Sequence, residues 1–147
     1  MRRIISSIIV IFFFAAGPAF AATPSDAVAS VEAAWSSAFA KWDLDALASL
    51  YTDDATLFGT SPNLFVGKDD VKKYFQALPA GVFKSAVFSD QHLTVLSKTT
   101  IITSGYVTFT KDVNGQATPL PFRITLVLVK QGHQWKIVAH HASPKAG

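Results

Sequence analysis

The sequence predicts an α+β domain in which a cone-shaped, strongly curved antiparallel sheet of four to six strands packs on three N-terminal helices. Apolar residues recur at helical spacing in three segments before residue 79. From residue 82 onward the chain consists of long runs rich in β-branched and aromatic residues, broken by turn signals such as Asn114-Gly115. A long twisted sheet needs a cover for its apolar face, and a cone of this kind commonly keeps a pocket at its open end.

Three helices are predicted from their first residues and their apolar stripes. The first is capped by Ser25 and carries an apolar stripe as far as Trp42. Asp43 caps a short second helix that ends at Tyr51, and a third helix occupies residues 67–78. These helices supply the apolar surfaces that the sheet requires.

The strands follow from runs of β-compatible residues. A short strand is predicted at 55–58, and longer strands at 82–97, 99–111 and 120–130. The final strand lies between Gly132 and Pro144 and has the sequence HQWKIVAHHAS. Because its centre is apolar while its end carries two imidazoles and a serine, we expect it to form a wall of both the core and any site.

The first 21 residues have the features of a cleaved secretory signal peptide. Two arginines precede an apolar run of 13 residues, and Ala19-Phe20-Ala21 fits an A-x-A cleavage signal. That run is shorter than the ~20 residues that a bilayer-spanning helix needs. We therefore expect residues 1–21 to be removed and residues 22–147 to form a single domain. The protein would be exported to the periplasm or the extracellular space without a stable membrane anchor.

Charge and cysteine content exclude several classes of partner and site. Without the signal peptide, 11 Lys and Arg balance ten Asp and Glu, so no basic surface indicates a nucleic-acid partner. The chain has no cysteine, which excludes a disulfide framework, a thiol nucleophile and a thiolate metal site. Because the histidines and carboxylates show no metal-binding spacing either, we predict no metal and no cofactor.

Four segments of the sequence resemble one superfamily. They are W-x-x-A-F at 35–39, D-x-D-A-L-x-x-L-Y-x-D-D-A at 43–55, G-K-D-D-V-x-x-Y-F at 67–75 and W-K-I-V-x-H-H-x-S at 135–143. Together they resemble the nuclear transport factor 2-like superfamily, above all its SnoaL-like and SgcJ/EcaC-type proteins and the association domain of calcium/calmodulin-dependent protein kinase II. The resemblance implies the cone-shaped fold over residues 27–143. It implies no single function, because this superfamily includes ketosteroid isomerases, dehydratases, epoxide hydrolases, cyclases and binding or assembly domains.

His140 and His141 are the first candidates for a site. They are adjacent in a predicted strand, so their side chains point to opposite faces of the sheet and cannot bind one metal ion together. The similar strand of the kinase association domain has polar residues that enter its pocket. One of the two histidines is therefore expected to line a cavity, and we favour His140; the alternative is a hydrogen-bonded histidine at an interface.

Further candidates complete a partly polar cavity between the first helix and the sheet. The superfamily often turns the positions of Trp35 and Tyr51 toward its pocket, although both are also ordinary core aromatics. Arg123 lies on the strand that pairs with the last one, close to the histidines, unless it is an exposed edge residue. Phe58 and Tyr106 complete the predicted ligand-binding wall. If a protonated imidazole there binds an anionic or phenolic ligand, affinity falls as the pH rises through a histidine pKa near ~6.5.

The acidic residues offer few catalytic candidates. Asp90 interrupts an apolar strand and is the candidate general base, with His140 and His141 as the other catalytic candidates, although a β-bulge explains Asp90 equally well. Asp53 and Asp54 are placed in the turn between the second helix and the short strand, where aspartate has a structural role. The single glutamate, Glu32, is placed on the polar side of the first helix.

Two functions of different class remain open. The first is an exported domain that binds a small apolar or anionic molecule in its cavity without turnover. The second is a cofactor-independent isomerase, dehydratase or hydrolase of the ketosteroid-isomerase-like type, in which an apolar cavity raises the pKa of a carboxylate for general acid/base catalysis. The shortage of carboxylates inside the predicted strands favours the first.

Self-association is also expected. One face of the sheet lies opposite the helices, and its apolar residues need another cover. The expected members of this face are Val107, Phe109, Val127, Val129 and Ile137. Together with the family resemblance, this predicts a homodimer through the outer face of the sheet.

Overall fold

Three helices and two short strands make up the first half of the described chain, and four long strands make up the second. The computed structural model describes residues 22–145, so the predicted signal peptide at 1–21 lies outside the described residues. The helices are α1 (Pro24–Lys41), α2 (Leu44–Ser49) and α3 (Lys68–Gln76). The strands are β1 (Tyr51–Phe58), β2 (Phe65–Val66), β3 (Phe83–Ser97), β4 (Thr100–Val113), β5 (Gln116–Gln131) and β6 (Gln134–Pro144).

The six strands form one sheet in the order β2-β1-β6-β5-β4-β3. Every neighbouring pair is antiparallel except β1 and β6, which run parallel. The predicted α+β class, a curved sheet packed on three helices, is confirmed. The sheet is therefore mixed rather than wholly antiparallel, and the long segment between β1 and β6 provides the connection that a parallel pair requires.

Local chemistry determines where α1 begins and ends. The N-cap is Thr23, which forms a reciprocal capping box with Asp26, so the predicted cap at Ser25 is wrong by two residues. Pro24 then occupies the first helical turn, where its missing N–H costs nothing. Trp42 ends the helix in the left-handed conformation, with φ of 57°.

The boundary between α2 and β1 differs from the prediction. Tyr51 is the first residue of β1 instead of the last residue of α2, and Asp53 and Asp54 lie inside this strand instead of in a turn. The cause is pairing with β6: the N–H of Ile137 donates to the carbonyl oxygen of Leu50 at 2.8 Å, and Tyr51 lies opposite Ile137. Pairing with β6 thus makes β1 begin earlier than predicted, directly after α2. The local sequence cannot show this, because the partner strand is distant in the chain.

The core fills the space between the helices and the concave face of the sheet, here called the inner face. Trp35, Phe39 and Tyr51 are among its largest fully buried side chains. Val107, Phe109 and Ile137 also belong to the inner face, so their predicted placement on the opposite, outer face is wrong. Of that predicted set only Val127 and Val129 are outside the core, since they alternate with the buried Leu126 and Leu128 along β5.

No helix within residues 22–145 is both long enough and apolar enough to cross a bilayer.

Candidate functional site

A chain of three hydrogen-bonded side chains crosses the core. The indole Nε1–H of Trp35, on α1, donates to Tyr51 Oη at 2.9 Å, and Tyr51 Oη lies 2.8 Å from His140 Nδ1. Tyr51 is on β1 and His140 on the neighbouring β6, so helix and sheet meet at this chain. All three residues are buried, with His140 only 6% exposed.

The donors and acceptors of this chain fix its protonation. Indole nitrogen only donates, so Tyr51 Oη accepts from Trp35 and its own hydrogen is free to donate to Nδ1 of His140. This arrangement satisfies Trp35 Nε1, Tyr51 Oη and His140 Nδ1 when His140 carries its hydrogen on Nε2. Burial, with a smaller repulsion from His141, lowers the pKa of His140 to about 3. Burial also raises the pKa of Tyr51, so both groups are neutral near pH 7.

A neutral imidazole changes what the site can bind. The expected gain of affinity from a protonated imidazole near pH 6.5 requires a charged ring, and His140 stays uncharged well below that pH. Its Nε2–H has no hydrogen-bond partner among residues 22–145. This group is therefore a neutral donor, which suits a neutral acceptor such as a carbonyl oxygen better than an anion.

Aromatic rings fill most of the interior of the cone around these three hydrogen-bonded side chains. Trp35 stacks on Phe39 with 5.0 Å between ring centroids, and it meets Phe75, Phe88 and Phe109 edge-on or nearly so. One small apolar pocket of about 50 Å³ remains at the mouth of the cone, beside Phe39. It is lined by Phe39, Thr60, Tyr74, Leu78, Phe83, Phe109 and Phe122. In this conformation it has room for only one or two water-sized groups.

Tyr74 and Thr60 form the polar edge of this pocket. The backbone N–H of Thr60 donates to Tyr74 Oη at 3.1 Å, so the loop after β1 is tied to α3. Gly59 lies so close that a Cβ atom there would stand 2.2 Å from Tyr74 Oη. The two segments therefore close over the pocket, and any larger ligand has to displace them.

The predicted ligand-binding wall divides between the two faces of the sheet. Trp35, Tyr51 and His140 lie together inside, as was favoured for His140. Phe58 and His141 lie on the outer face, because His141 alternates with His140 along β6 and Phe58 pairs with it in register. The expectation of one wall for all seven residues is therefore corrected.

The outer group has its own depression. Tyr106 lies opposite Arg123, which lies opposite Ser143, and Thr125 lies opposite His141. A shallow hollow of about 330 Å³ is lined by Arg123, Ile124, Thr125, His141 and Ser143. Arg123 uses one N–H to bind the carbonyl oxygen of Pro144 at 3.3 Å. This surface contains donors and no carboxylate among the described residues.

The acidic candidates lie outside the cone. Asp90 is exposed, with φ of 51°, at a shift of register between Ser89 and His92. The bulge interpretation thus accounts for it, and its side chain does not enter the core. Asp53 is exposed and forms a salt bridge with Lys68 at 2.7 Å.

Glu32 does not lie on the polar side of α1, where it was predicted. It lies one turn before Trp35 on α1 and is half-buried, and its Oε1 is shielded from solvent without a partner among residues 22–145. Burial raises its pKa to about 7. The available signal was its position at i+4 from Val28, at the edge of the apolar stripe. The pocket-lining phenylalanines were missed as well, because phenylalanine in a core carries no functional signature.

No group of three or more His, Cys, Asp or Glu side chains capable of holding a metal ion occurs in the described part of the chain.

Comparison with known proteins identifies the class. The SnoaL-like domain matches residues 28–147, which is most of the sequence, and the chain belongs to this family. A search of curated protein sequences finds no match.

Solved structures agree on the fold. A protein from Xanthomonas campestris, assigned as a calcium/calmodulin-dependent protein kinase II association domain, is 24% identical, with a TM-score of 0.76 over 92% of this chain and 98% of its own. A ketosteroid isomerase-like protein from Erwinia carotovora atroseptica is 20% identical, with a TM-score of 0.68 over 82% of this chain and 95% of its own. A protein from Novosphingobium aromaticivorans, assigned as a scytalone dehydratase, is 17% identical, with a TM-score of 0.72 over 83% of this chain and 84% of its own. At these identities the likeness is one of fold.

Proposed function

We propose that this chain is an exported SnoaL-like domain that binds a small, neutral, largely apolar molecule inside the cone. The observation that carries the proposal is the hydrogen-bonded series Trp35–Tyr51–His140 in an apolar core, which leaves the Nε2–H of His140 without a hydrogen bond within residues 22–145. Nε2 of His140 keeps a small solvent contact, since the fully shielded side-chain atoms without a partner among residues 22–145 are Glu32 Oε1 and Thr52 Oγ1. A ligand acceptor that reaches Nε2–H would take the place of water as its hydrogen-bond partner.

The pocket beside Phe39 supports an entry route from the mouth of the cone. Phe39 and Phe109 line this pocket and both contact the Trp35 ring, so the pocket is one ring away from the polar chain. The ligand displaces Tyr74 and the Thr60 loop as it enters. Its apolar part takes the place of solvent among the phenylalanines, and its carbonyl accepts from His140 Nε2–H.

Acetophenone and its hydrocarbon analogue α-methylstyrene test this function. Isothermal titration should give saturable binding of acetophenone at one site per chain, with weaker binding of the hydrocarbon. Phe122→Ala should strengthen both by enlarging the pocket, because an apolar cavity of this kind accepts apolar guests. Equal and non-saturable uptake of both compounds by the wild type and by Phe122→Ala would contradict the proposal.

A second candidate, general acid/base catalysis, is favoured by one observation, the raised pKa of Glu32. A carboxyl group with a pKa of about 7 suits proton transfer near neutral pH. Hydrogen–deuterium exchange at the methyl group of acetophenone, followed by NMR, tests it directly. Exchange that is lost in Glu32→Gln while binding persists would establish catalysis, and the absence of exchange in the wild type leaves binding alone.

Self-association through the outer face of the sheet forms part of the proposal. That face carries Val127, Val129 and Tyr106 among serines and threonines, with Arg123 as a charged member. The structural neighbour from Xanthomonas is assigned as an association domain. A homodimer across this face would bury its apolar residues. Sedimentation equilibrium should give twice the mass of one chain.

Export completes the proposal. The arginine pair, the apolar run and the A-x-A signal support cleavage after Ala21. Intact-mass measurement of secreted material should match a chain that begins at Ala22. A chain that retains Met1 would contradict export.

A further inference from the structure

The end of the cone opposite its mouth carries a groove, here called the tip groove. It lies where the inner face of the sheet extends past the first turn of α1, near Pro24. The groove has a volume of about 500 Å³, within the ~300–1,000 Å³ range of small-molecule sites. Its principal lining residues are Val95, Lys98, Ile101, Lys130, His133 and Trp135.

Two hairpins hold the groove in shape. Lys130 lies directly opposite Trp135 in the β5–β6 hairpin. The backbone N–H of Lys130 donates to the carbonyl oxygen of Thr99 at 2.9 Å, which ties this hairpin to the β3–β4 turn that carries Lys98. The two ammonium groups are therefore attached to neighbouring, hydrogen-bonded turns rather than to independent loops.

The charged side chains that line the tip groove are all positive. Lys98 and Lys130 form no salt bridge within residues 22–145, and no carboxylate lines the groove in this part of the chain. The adjoining groove along α1 contains Asp26, and the carboxylate of Asp26 already accepts from the N–H and the hydroxyl of Thr23. The apolar wall is equally clear, with Trp135 half-buried and Val95 52% exposed.

We propose that the tip groove binds a single small amphipathic anion, a medium-chain carboxylate whose apolar tail lies along Trp135 and Val95 and whose head group lies between Lys98 and Lys130. The basis is complementarity: two unpaired cations flank an apolar concave surface, and a ligand with one charge and one apolar tail satisfies both. Ala22 borders the groove, so the proposal applies to the chain after cleavage at Ala21 and rests on the proposed export in this respect alone.

Octanoate, with 1-octanol as the uncharged control of equal length, provides the test. Intact mass first establishes that the purified protein begins at Ala22, so that a failure of cleavage is recognised separately. Binding is followed by NMR at the indole N–H signals of Trp135 and Trp35, and by isothermal titration at two salt concentrations. Octanoate should shift the Trp135 signal saturably, leave Trp35 unmoved, and bind more weakly at high salt.

The charge requirement is tested by the double variant Lys98→Gln/Lys130→Gln, with Lys111→Gln on β4 as the matched control. The double variant should bind octanoate about tenfold more weakly, from the loss of two exposed charge contacts, while the control is unchanged. Unchanged affinity in the double variant would overturn the proposal. A shift of Trp35 in place of Trp135 would also overturn it and place the anion in the cone. Binding to anionic vesicles without binding of free octanoate would identify a membrane surface and equally overturn it.

Discussion

The hydroxyl group of Tyr51 holds the core chain together, because it accepts from Trp35 and donates to His140. Tyr51→Phe keeps the ring and leaves both partners buried without a bond. We expect it to lower the free energy of unfolding by about 1–3 kcal/mol, the usual cost of unpaired buried polar groups. Urea denaturation measures this loss.

Tyr106→Phe is the matched control for Tyr51→Phe. Its ring lies on the outer face, 4.1 Å from the Lys145 ammonium, and its hydroxyl belongs to no buried chain. It should change stability by less than about 0.5 kcal/mol. Equal losses in the two variants would mean that the core chain contributes nothing specific.

Glu32 makes stability depend on pH in a direction opposite to that of a paired carboxylate. Its pKa is about 7 in the folded protein and near its ordinary 4.5 when unfolded. The folded state therefore holds its proton more tightly, so this contribution to stability is complete below pH 4.5 and is lost as the pH rises through 7.

Glu32→Gln removes this titration and should be the more stable form at pH 8, by about 1–2 kcal/mol once solvent screening of a half-buried group is allowed for. Thermal unfolding of both proteins from pH 4 to pH 8 measures the difference. The difference in stability between Glu32→Gln and the wild type should widen between pH 4.5 and 7. A gap that is constant with pH would show that the Glu32 carboxyl has an ordinary pKa.

At the scale of elements, α3 and the loop after β1 close the mouth of the cone. A Cβ atom at Gly59 would lie 2.2 Å from Tyr74 Oη and 2.3 Å from Cζ, so Gly59→Ala has to push the Tyr74 ring away. We expect a loss of about 1–3 kcal/mol, as for other overpacked sites, and stronger binding of acetophenone because the mouth opens.

A double-mutant cycle with Tyr74→Leu isolates this contact. In the Tyr74→Leu background the added methyl group meets a shorter side chain, so Gly59→Ala should cost much less there. Urea denaturation of the four proteins gives the coupling energy. Additive losses would place the strain of Gly59→Ala somewhere other than at Tyr74.

The elements also show what sequence patterns can and cannot predict. The stripe on α1 and the runs of β3 to β6 gave correct element types, since helical and strand periodicities are local properties. The start of β1 at Tyr51 was missed because pairing with Ile137 determines it. Strand geometry alone places the side chains of His140 and His141 on opposite faces. Which of the two points inward depends on the register between β5 and β6, and that register shifts between Val127 and Leu128.

The same limit explains the divided site. Phe58, Tyr106, Arg123 and His141 were predicted to share one wall with the core aromatics, and they do lie on neighbouring strands of the sheet. Adjacent strands bring residues close along the sheet, but only register assigns the face, and a shift by one residue reverses it. Glu32 was likewise predicted on the polar side of α1. Helical spacing gives the direction of a side chain around the helix axis, but it does not show how far the neighbouring elements cover that side chain.

At the scale of the whole molecule, the outer face is the surface through which two chains would meet. Val127 lies on this face in β5, between the neighbouring strands β4 and β6, opposite Ile102 and Ala139. Val127→Lys places a charge from each chain in the proposed interface. We expect sedimentation equilibrium to show a monomer for this variant and a dimer for the wild type.

Val113→Lys is the control for Val127→Lys, since Val113 is exposed beside the β4–β5 turn. It should leave the dimer intact. Dissociation in both variants, or in neither, would move the interface away from the outer face.

The central claim is that the core chain serves a ligand, and the most direct measurement is the NMR response of its own atoms to acetophenone. The Trp35 indole N–H and the His140 ring nitrogens are the reporters, and the Trp135 indole at the other end of the cone is the internal control. We expect saturable shifts of the Trp35 and His140 signals at one common affinity, with the Trp135 signal unchanged. Saturation of other signals while Trp35 and His140 stay fixed would contradict it and leave the chain with a purely structural role.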